Sequence, residues 1–328
     1  MAVASDHARI DPEDREAPSH PYDRIAVIVN PAAGQDRPIL GVLNRAFHTA
    51  KVDWEVYVTK KANDAADYAR RAVEERYPVI AVYGGDGTVG EVASALVGTG
   101  VPLAIFPGGT ANVMSVELGI PSDLAEACAL VFSGAGKARS IDVGRIRLPT
   151  TNGTTERYFM LRVGIGFEAE MVEGADRELK DKFGTLAYAL SALQALREPS
   201  LAHYRLTLDG APRETRGMTC IIANTGSLGR TNLTLAPDIS VSDGKLDVVV
   251  VRSGDLPSLL SVAAKVLTGS DPAEPLQHWQ ASSVRVEVEP AQAVTVDGEM
   301  VEVGPIEVDV LPAALNVIVP VSAEGVNA

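Results

Sequence analysis

The chain has 328 residues, a net charge of -14 and 46% hydrophobic residues, the profile of a soluble globular protein long enough for two domains. Its basic runs are no longer than pairs such as Lys60-Lys61 and Arg70-Arg71, which argues against a nucleic-acid partner and against a polybasic membrane anchor. The two cysteines, Cys128 and Cys220, fall in apolar runs and read as core residues of a reducing compartment, and the five scattered histidines show no zinc spacing. The first 23 residues are polar, hold no apolar stretch of signal-peptide type and read as a disordered tail. No segment has the roughly 20 consecutive apolar residues of a membrane span, so a cytoplasmic protein is expected.

From Arg24 the pattern alternates strand and helix. Ile25 to Val29 reads as a buried strand, Pro38 to Ala50 as a helix and Asp53 to Val58 as a second strand. Asn63 is expected to cap a helix over Asp64 to Arg76, with Ala65, Ala69, Ala72 and Val73 on one face. Val79 to Tyr83 and Val101 to Phe106 are further strands, each followed by a helix, and Ser122 is expected to cap a helix ending at Phe132. Such alternation predicts a doubly wound, mostly parallel sheet over residues 24–140. After about Ser140 the runs are short and rich in Val, Ile and Thr: Arg157 to Val163, Tyr204 to Leu208, Met218 to Ala223, Leu246 to Arg252, Val284 to Val288, Ala293 to Val296, Ile306 to Val310 and Leu315 to Val319. With hairpin turns at Asp209-Gly210 and Asp297-Gly298, they predict an antiparallel β-sandwich over 141–312, interrupted by helices at Gly184 to Arg197 and Pro257 to Leu267. Residues 313–328 would carry one last strand.

Three glycine-rich signatures follow the strands of the first half: Asn30-Pro31-Ala32-Ala33-Gly34, Gly84-Gly85-Asp86-Gly87-Thr88 and Pro107-Gly108-Gly109-Thr110-Ala111-Asn112. A backbone without side chains can bend sharply and approach a ligand, and amides at a helix start suit phosphate. The carboxyl ends of parallel strands are where such sheets bind ligands. Three such loops in one half point to a nucleotide triphosphate. None ends in Gly-Lys-Ser/Thr, so this is not a P-loop.

These residues together resemble the bacterial diacylglycerol kinase and lipid kinase family, whose catalytic domain is shared with sphingosine and ceramide kinases. The resemblance spans about Arg24 to Val321 and implies an α/β nucleotide domain and a β-sandwich with the active site in the cleft between them, and a last strand within 313–328, Leu315 to Val319, that returns to the first domain. It implies ATP and Mg2+ as cofactors, and a lipid substrate met at the inner membrane face by a transiently peripheral protein. A homodimer stays open. Asn30, Pro31, Ala32, Ala33 and Gly34 match the family's first nucleotide loop, and Thr59 a threonine that contacts ATP. Gly84 to Thr88 match the diagnostic loop, with Asp86 expected to hold Mg2+, and Gly109-Thr110 match a further nucleotide contact. Asp142 matches an acidic residue near the metal. Asp243, with the carbonyls of Ser240 and Lys245, matches a structural magnesium loop, and Glu299 in Asp297-Gly298-Glu299 stands in the position of the general base. The chain departs from the family pattern at Ala33, Gly90, Val113 and Glu168, where serine, asparagine, aspartate and aspartate are common.

The resemblance implies an ATP-dependent lipid kinase acting on a membrane alcohol such as diacylglycerol. Two alternatives stand beside it: an NAD kinase, which shares a Gly-Gly-Asp-Gly-Thr loop, and a catalytically silent nucleotide- or lipid-binding regulator. Asp297-Gly298-Glu299 and the Asn-Pro opening favour the lipid family over the first, and Asp86 with Glu299 count against the second.

Overall fold

The computed structural model describes residues 22–34, 38–150, 153–166, 201–228, 234–236, 238–252, 276–301 and 305–321. The expected tail before residue 22, the expected helices at 184–197 and 257–267, and Glu168 lie outside those residues.

The first half is built on β1 (Arg24–Val29), β2 (Asp53–Val58), β3 (Ile80–Gly84) and β4 (Leu103–Pro107), all parallel, in the order β2-β1-β3-β4. β1, β3 and β4 are apolar on both faces because helices cover both sides of this sheet. α1 (Ile39–Ala50) packs on α5 (Leu124–Phe132), with Phe47 edge-on to Phe132. α2 (Asp64–Glu74) packs on α3 (Asp86–Leu96), and the buried Ala65, Ala69 and Ala72 let α2 approach closely. Two expected caps are corrected. Asn63 precedes α2 in a left-handed conformation and makes no side-chain cap, while the Asp64 carboxylate accepts from the Lys60 and Lys61 amides. The cap of α5 is Asp123 rather than Ser122, because the Asp123 carboxylate reaches the amides of Ala125 and Glu126. A short α4 (Val113–Glu117) starts two residues later than the pattern suggests, after the left-handed Asn112.

The second half is antiparallel. Among the described residues β5 (Gly136–Thr150), β6 (Gly153–Phe159), β8 (Ala202–Leu208), β9 (Ala211–Gly217), β13 (Ser283–Glu289) and β16 (Ile306–Pro320) extend the first sheet into a ten-stranded one. β7 (Arg162–Gly166), β10 (Thr219–Ala223), β11 (Leu246–Val251), β12 (Leu276–Ala281), β14 (Val294–Val296) and β15 (Glu299–Val301) form a six-stranded sheet in the order β12-β11-β10-β7-β14-β15. Ile146, Phe159, Leu206, Val284 and Val308 of one sheet and Val163, Ile222, Val248 and Val294 of the other share a buried core, so the two sheets form a sandwich. The Asp209-Gly210 and Asp297-Gly298 turns have positive φ at both residues, the conformation that two-residue hairpins favour.

Two expected runs are redrawn. Arg157 to Val163 is not one strand: the chain leaves β6 at Phe159, turns through Met160 and Leu161, and enters the opposite sheet as β7. Conversely, the runs at Ile306 and Leu315 are one strand, β16, with an irregularity between Leu311 and Leu315 and a left-handed Ala313. β16 pairs antiparallel with β5 on both sides of that irregularity. Its first half supplies Val308 to the sandwich core, and its second half supplies Leu315 and Val317 to the core of the parallel sheet. Val317 also pairs parallel with Leu103 of β4, so one continuous sheet joins the two halves. The free thiols of Cys128 and Cys220 are buried, and burial pushes the Cys128 thiol up to about 12.

Candidate active site

The three glycine loops meet at the carboxyl ends of β1, β3 and β4, and main-chain bonds fix them there. The Asn30 amide donates to the Tyr83 carbonyl at 2.9 Å, and the Gly108 amide to the Gly84 carbonyl at 2.9 Å. Asn30 also donates from Nδ2 to Thr88 Oγ1 at 2.9 Å, tying the first loop to the start of α3. Asn112 folds the third loop on itself: its Oδ1 accepts from the Gly109 amide and its Nδ2 donates to the Gly109 carbonyl, both at 2.9 Å. A methyl on Gly109 would run into the Gly85 Cα, so the second and third loops touch through bare backbone. The result is a continuous patch of main chain at the N-terminus of α3, polarised for an anion.

A cavity of about 240 Å³ lies beside this patch. It brings together the expected Asn30, Pro31, Ala32, Thr59 and Thr88, and adds Lys60, Lys61 and Glu91. The sequence showed the lysine pair only as a short basic run, with no role in the site. Both are exposed, but they stand at this cavity because Thr59 is drawn in by its amide bond to the Val29 carbonyl at 3.0 Å. Ala33, Gly34, Gly109 and Thr110 stand on the adjoining loops rather than on the cavity wall.

Asp86 opens α3, and its Oδ1 faces the Met114 amide at 3.4 Å. Burial raises its carboxyl above the ordinary range, while the amides of Met114 and Val113 and the Arg162 guanidinium pull it back. Arg162 begins β7 and acts electrostatically on a second carboxylate as well, that of Asp297. Asp297 is half-buried and accepts from three successive amides, Met160, Leu161 and Arg162, at 2.8 to 2.9 Å. Burial nevertheless pushes it up to about 6. Asp297 thus pins the β14–β15 turn to the corner between β6 and β7, and Arg162 stands between that turn and the Asp86 loop. Sequence reasoning missed Arg162, for its two partners are 76 and 135 residues away and no local spacing announces it. Glu299, two residues past Asp297, has a side chain 66% exposed and pairs through Oε2 with Arg157 Nη2 at 2.6 Å.

Asp142 is 2% exposed. Its carboxylate accepts from the Gly244 amide at 2.7 Å and the Ala313 amide at 2.8 Å, joining the 240–245 loop to the irregular point of β16. Asp243 holds the Lys245 amide at 3.0 Å, and its carboxyl is raised first by burial and then by the neighbouring charges of Asp247 and Asp142. Asp142 and Asp243 are therefore neighbours. Asp86 and Glu299 stand on the other elements already described. Among the described residues no group of three or more His, Cys, Asp or Glu could hold a metal unaided. No helix of the described residues is long and apolar enough to cross a membrane.

Comparison with known proteins fits this geometry. The family model of the diacylglycerol kinase catalytic domain matches residues 24–146, and that of the YegS C-terminal NAD kinase beta sandwich-like domain matches residues 162–319. A diacylglycerol kinase of Mycobacterium tuberculosis is 30% identical over 306 residues, 92% of this chain and 96% of that protein. An uncharacterized protein of Synechocystis is 36% identical over 276 residues; these are 81% of this chain, which spans 61% of that relative's length. In structure, a diacylglycerol kinase from Bacillus anthracis superposes with a TM-score of 0.71 at 25% identity, over 92% of this chain and 99% of that one. Yeast NADH kinase shares the fold, with a TM-score of 0.55 at 14% identity over 92% of this chain and 85% of that one.

Proposed function

The chain belongs to the diacylglycerol kinase catalytic-domain family, and from that premise we propose that it transfers the γ-phosphoryl group of ATP to the hydroxyl of a membrane lipid of the diacylglycerol type. The observation that carries the reading is the meeting of three glycine loops around Asp86, opposite Arg162 and the turn that bears Glu299. The likeness to NADH kinase extends to the fold alone.

Phosphoryl transfer is mostly positioning and charge stabilisation. The amides of the glycine loops hold the phosphates, and Thr59 and Thr88 line the adjoining cavity for the rest of the nucleotide. Arg162 supplies positive charge beside Asp86, where charge spreads over the transferred group. Glu299 is the proposed base. Arg157 occupies Oε2, and Oε1 takes the proton of the acceptor hydroxyl. Asp297 sets the place of Glu299 by fixing the turn.

Asp86 fits magnesium: backbone amides and the more distant charge of Arg162 are what act on its carboxylate, and this ion takes one or two carboxylates together with phosphate oxygens and waters. When bound there, the ion would neutralise phosphate charge. Asp243, with the carbonyls of Ser240 and Lys245, is proposed to hold a second, structural magnesium, and Asp142 to frame that loop through its two amide bonds. We place the protein in the cytoplasm, meeting its acceptor at the inner membrane face.

The test is transfer of labelled phosphate from ATP with magnesium into vesicles containing diacylglycerol, with mass identification of the product. Labelled phosphatidic acid supports the reading. No labelled lipid from any total lipid extract, alongside phosphorylated NAD, would overturn it.

A further inference from the structure

Tyr83 ends the apolar stretch of β3 and is 1% exposed. Its ring lies directly under two of the three glycine loops. A methyl on Gly34 would collide with the Tyr83 hydroxyl oxygen, and a methyl on Gly108 would come within 2.8 Å of the ring's Cζ. Gly34 and Gly108 are therefore glycines partly because this ring fills the space where side chains would go. The Tyr83 hydroxyl is buried and has no hydrogen-bond partner among the described residues. Phenylalanine would fill the same floor without stranding a donor, and stranding one is costly. A donor kept here suits a partner that arrives.

We propose that the Tyr83 hydroxyl is a phosphate donor of the nucleotide site, taking one polyphosphate oxygen between the Gly34 and Gly108 loops. This inference rests on the nucleotide reading above and assigns a residue to it. Three features of the place select an anion over a neutral group. The hydroxyl stands at the carboxyl end of β3, next to the N-terminus of α3, where the peptide dipoles favour negative charge. It packs directly against the Gly34 backbone, with its ring against Gly108. And a phenol donates most strongly to a charged oxygen. Since the hydroxyl is covered, the proposal requires the 31–34 backbone to shift to admit that oxygen, while the Asn30 amide stays anchored on the Tyr83 carbonyl.

Tyr83→Phe tests this on the full chain, with ATP, inorganic triphosphate and adenosine as probes in calorimetric titration and thermal melts. The wild type is expected to bind ATP and triphosphate. The variant should melt at the same temperature or higher without ligand, bind ATP and triphosphate roughly 10-fold or more weakly, and bind adenosine unchanged. In turnover, KM for ATP should rise more than kcat falls. A variant that fails to fold or melts lower, with wild-type ATP affinity retained where it folds, shows a hydroxyl that supports structure and overturns the inference alone. A wild type that binds neither ATP nor triphosphate overturns the nucleotide reading and this inference with it.

Discussion

The two sides of the proposed site are made of different materials. On one side the proposed ligand-facing groups are main-chain amides of glycine loops, packed backbone to backbone and braced by Asn30 and Asn112, with the Tyr83 hydroxyl beneath them. On the other they are side chains: Asp297 on three amides, Arg162 facing it, and Glu299 reaching into solvent on Arg157. On the first side the proposed role rests on main chain, with Asp86 and Tyr83 as the exceptions. The second depends on the identity of each residue, because charge and proton transfer cannot be supplied by backbone. Under the proposed function, phosphate binding falls on the first side and acceptor chemistry on the second.

The largest test of that division is Asp86→Ala, the one charged side chain at the centre of the main-chain side. Transfer should fall to background, beyond ~10³-fold, with the thermal melt kept near wild type. Transfer near wild type in the folded variant, with magnesium present, would remove Asp86 from the mechanism. Glu299→Gln comes next. Turnover should drop by ~10²–10⁴ with ATP affinity retained, since the change removes a proton acceptor from the other side alone. Loss of ATP binding at unchanged turnover per bound ATP would merge the two sides and send the search for a base elsewhere.

Asp297 separates the sides by pH. Its folded carboxyl titrates at about 6, above the ordinary unfolded value, so the stability it contributes is fully present below the unfolded value and is lost as pH rises through about 6. Relative to Asp297→Asn, the wild type should therefore lose about 2 kcal/mol between pH 4 and pH 7.5, read from denaturant unfolding at each pH. A flat difference over that range would show that the three amides hold a carboxylate without cost. Arg157→Ala should have the smallest effect. Its pair with Glu299 is exposed, so stability should change by less than about 1 kcal/mol. Turnover should fall several-fold because Glu299 loses its orientation, with KM for ATP unmoved. An unchanged turnover would make the pair a surface contact only.

The main-chain side was readable in the sequence because its function requires glycine, and glycine at strand ends is visible in a string of letters. The loops stand where the pattern put them, and β1 to β4 lie within two residues of their expected bounds. The caps were less readable. Asp, Asn and Ser at a helix start look alike in sequence, and backbone angles chose Asp123 over Ser122 and left Asn63 without a cap. β5 was hidden for a different reason. Gly136 to Thr150 mixes glycine, arginine and apolar residues, and it is a strand because β16 pairs along it from some 160 residues away. The same holds for Arg162 and Arg157, whose partners come from other elements.

By itself the sequence determined the parallel nucleotide half, the two Asp-Gly hairpins and the glycine cradle, since each rests on local backbone preference or on a period of buried residues. Only the tertiary structure decided that the runs at Ile306 and Leu315 are one strand serving both halves, that the predicted strand at 157–163 breaks to cross between sheets, and that Tyr83 lies under two loops at once. Those features depend on contacts between segments distant in the chain. Such contacts are set by packing and by the demand that buried polar groups find partners, and neither leaves a local mark.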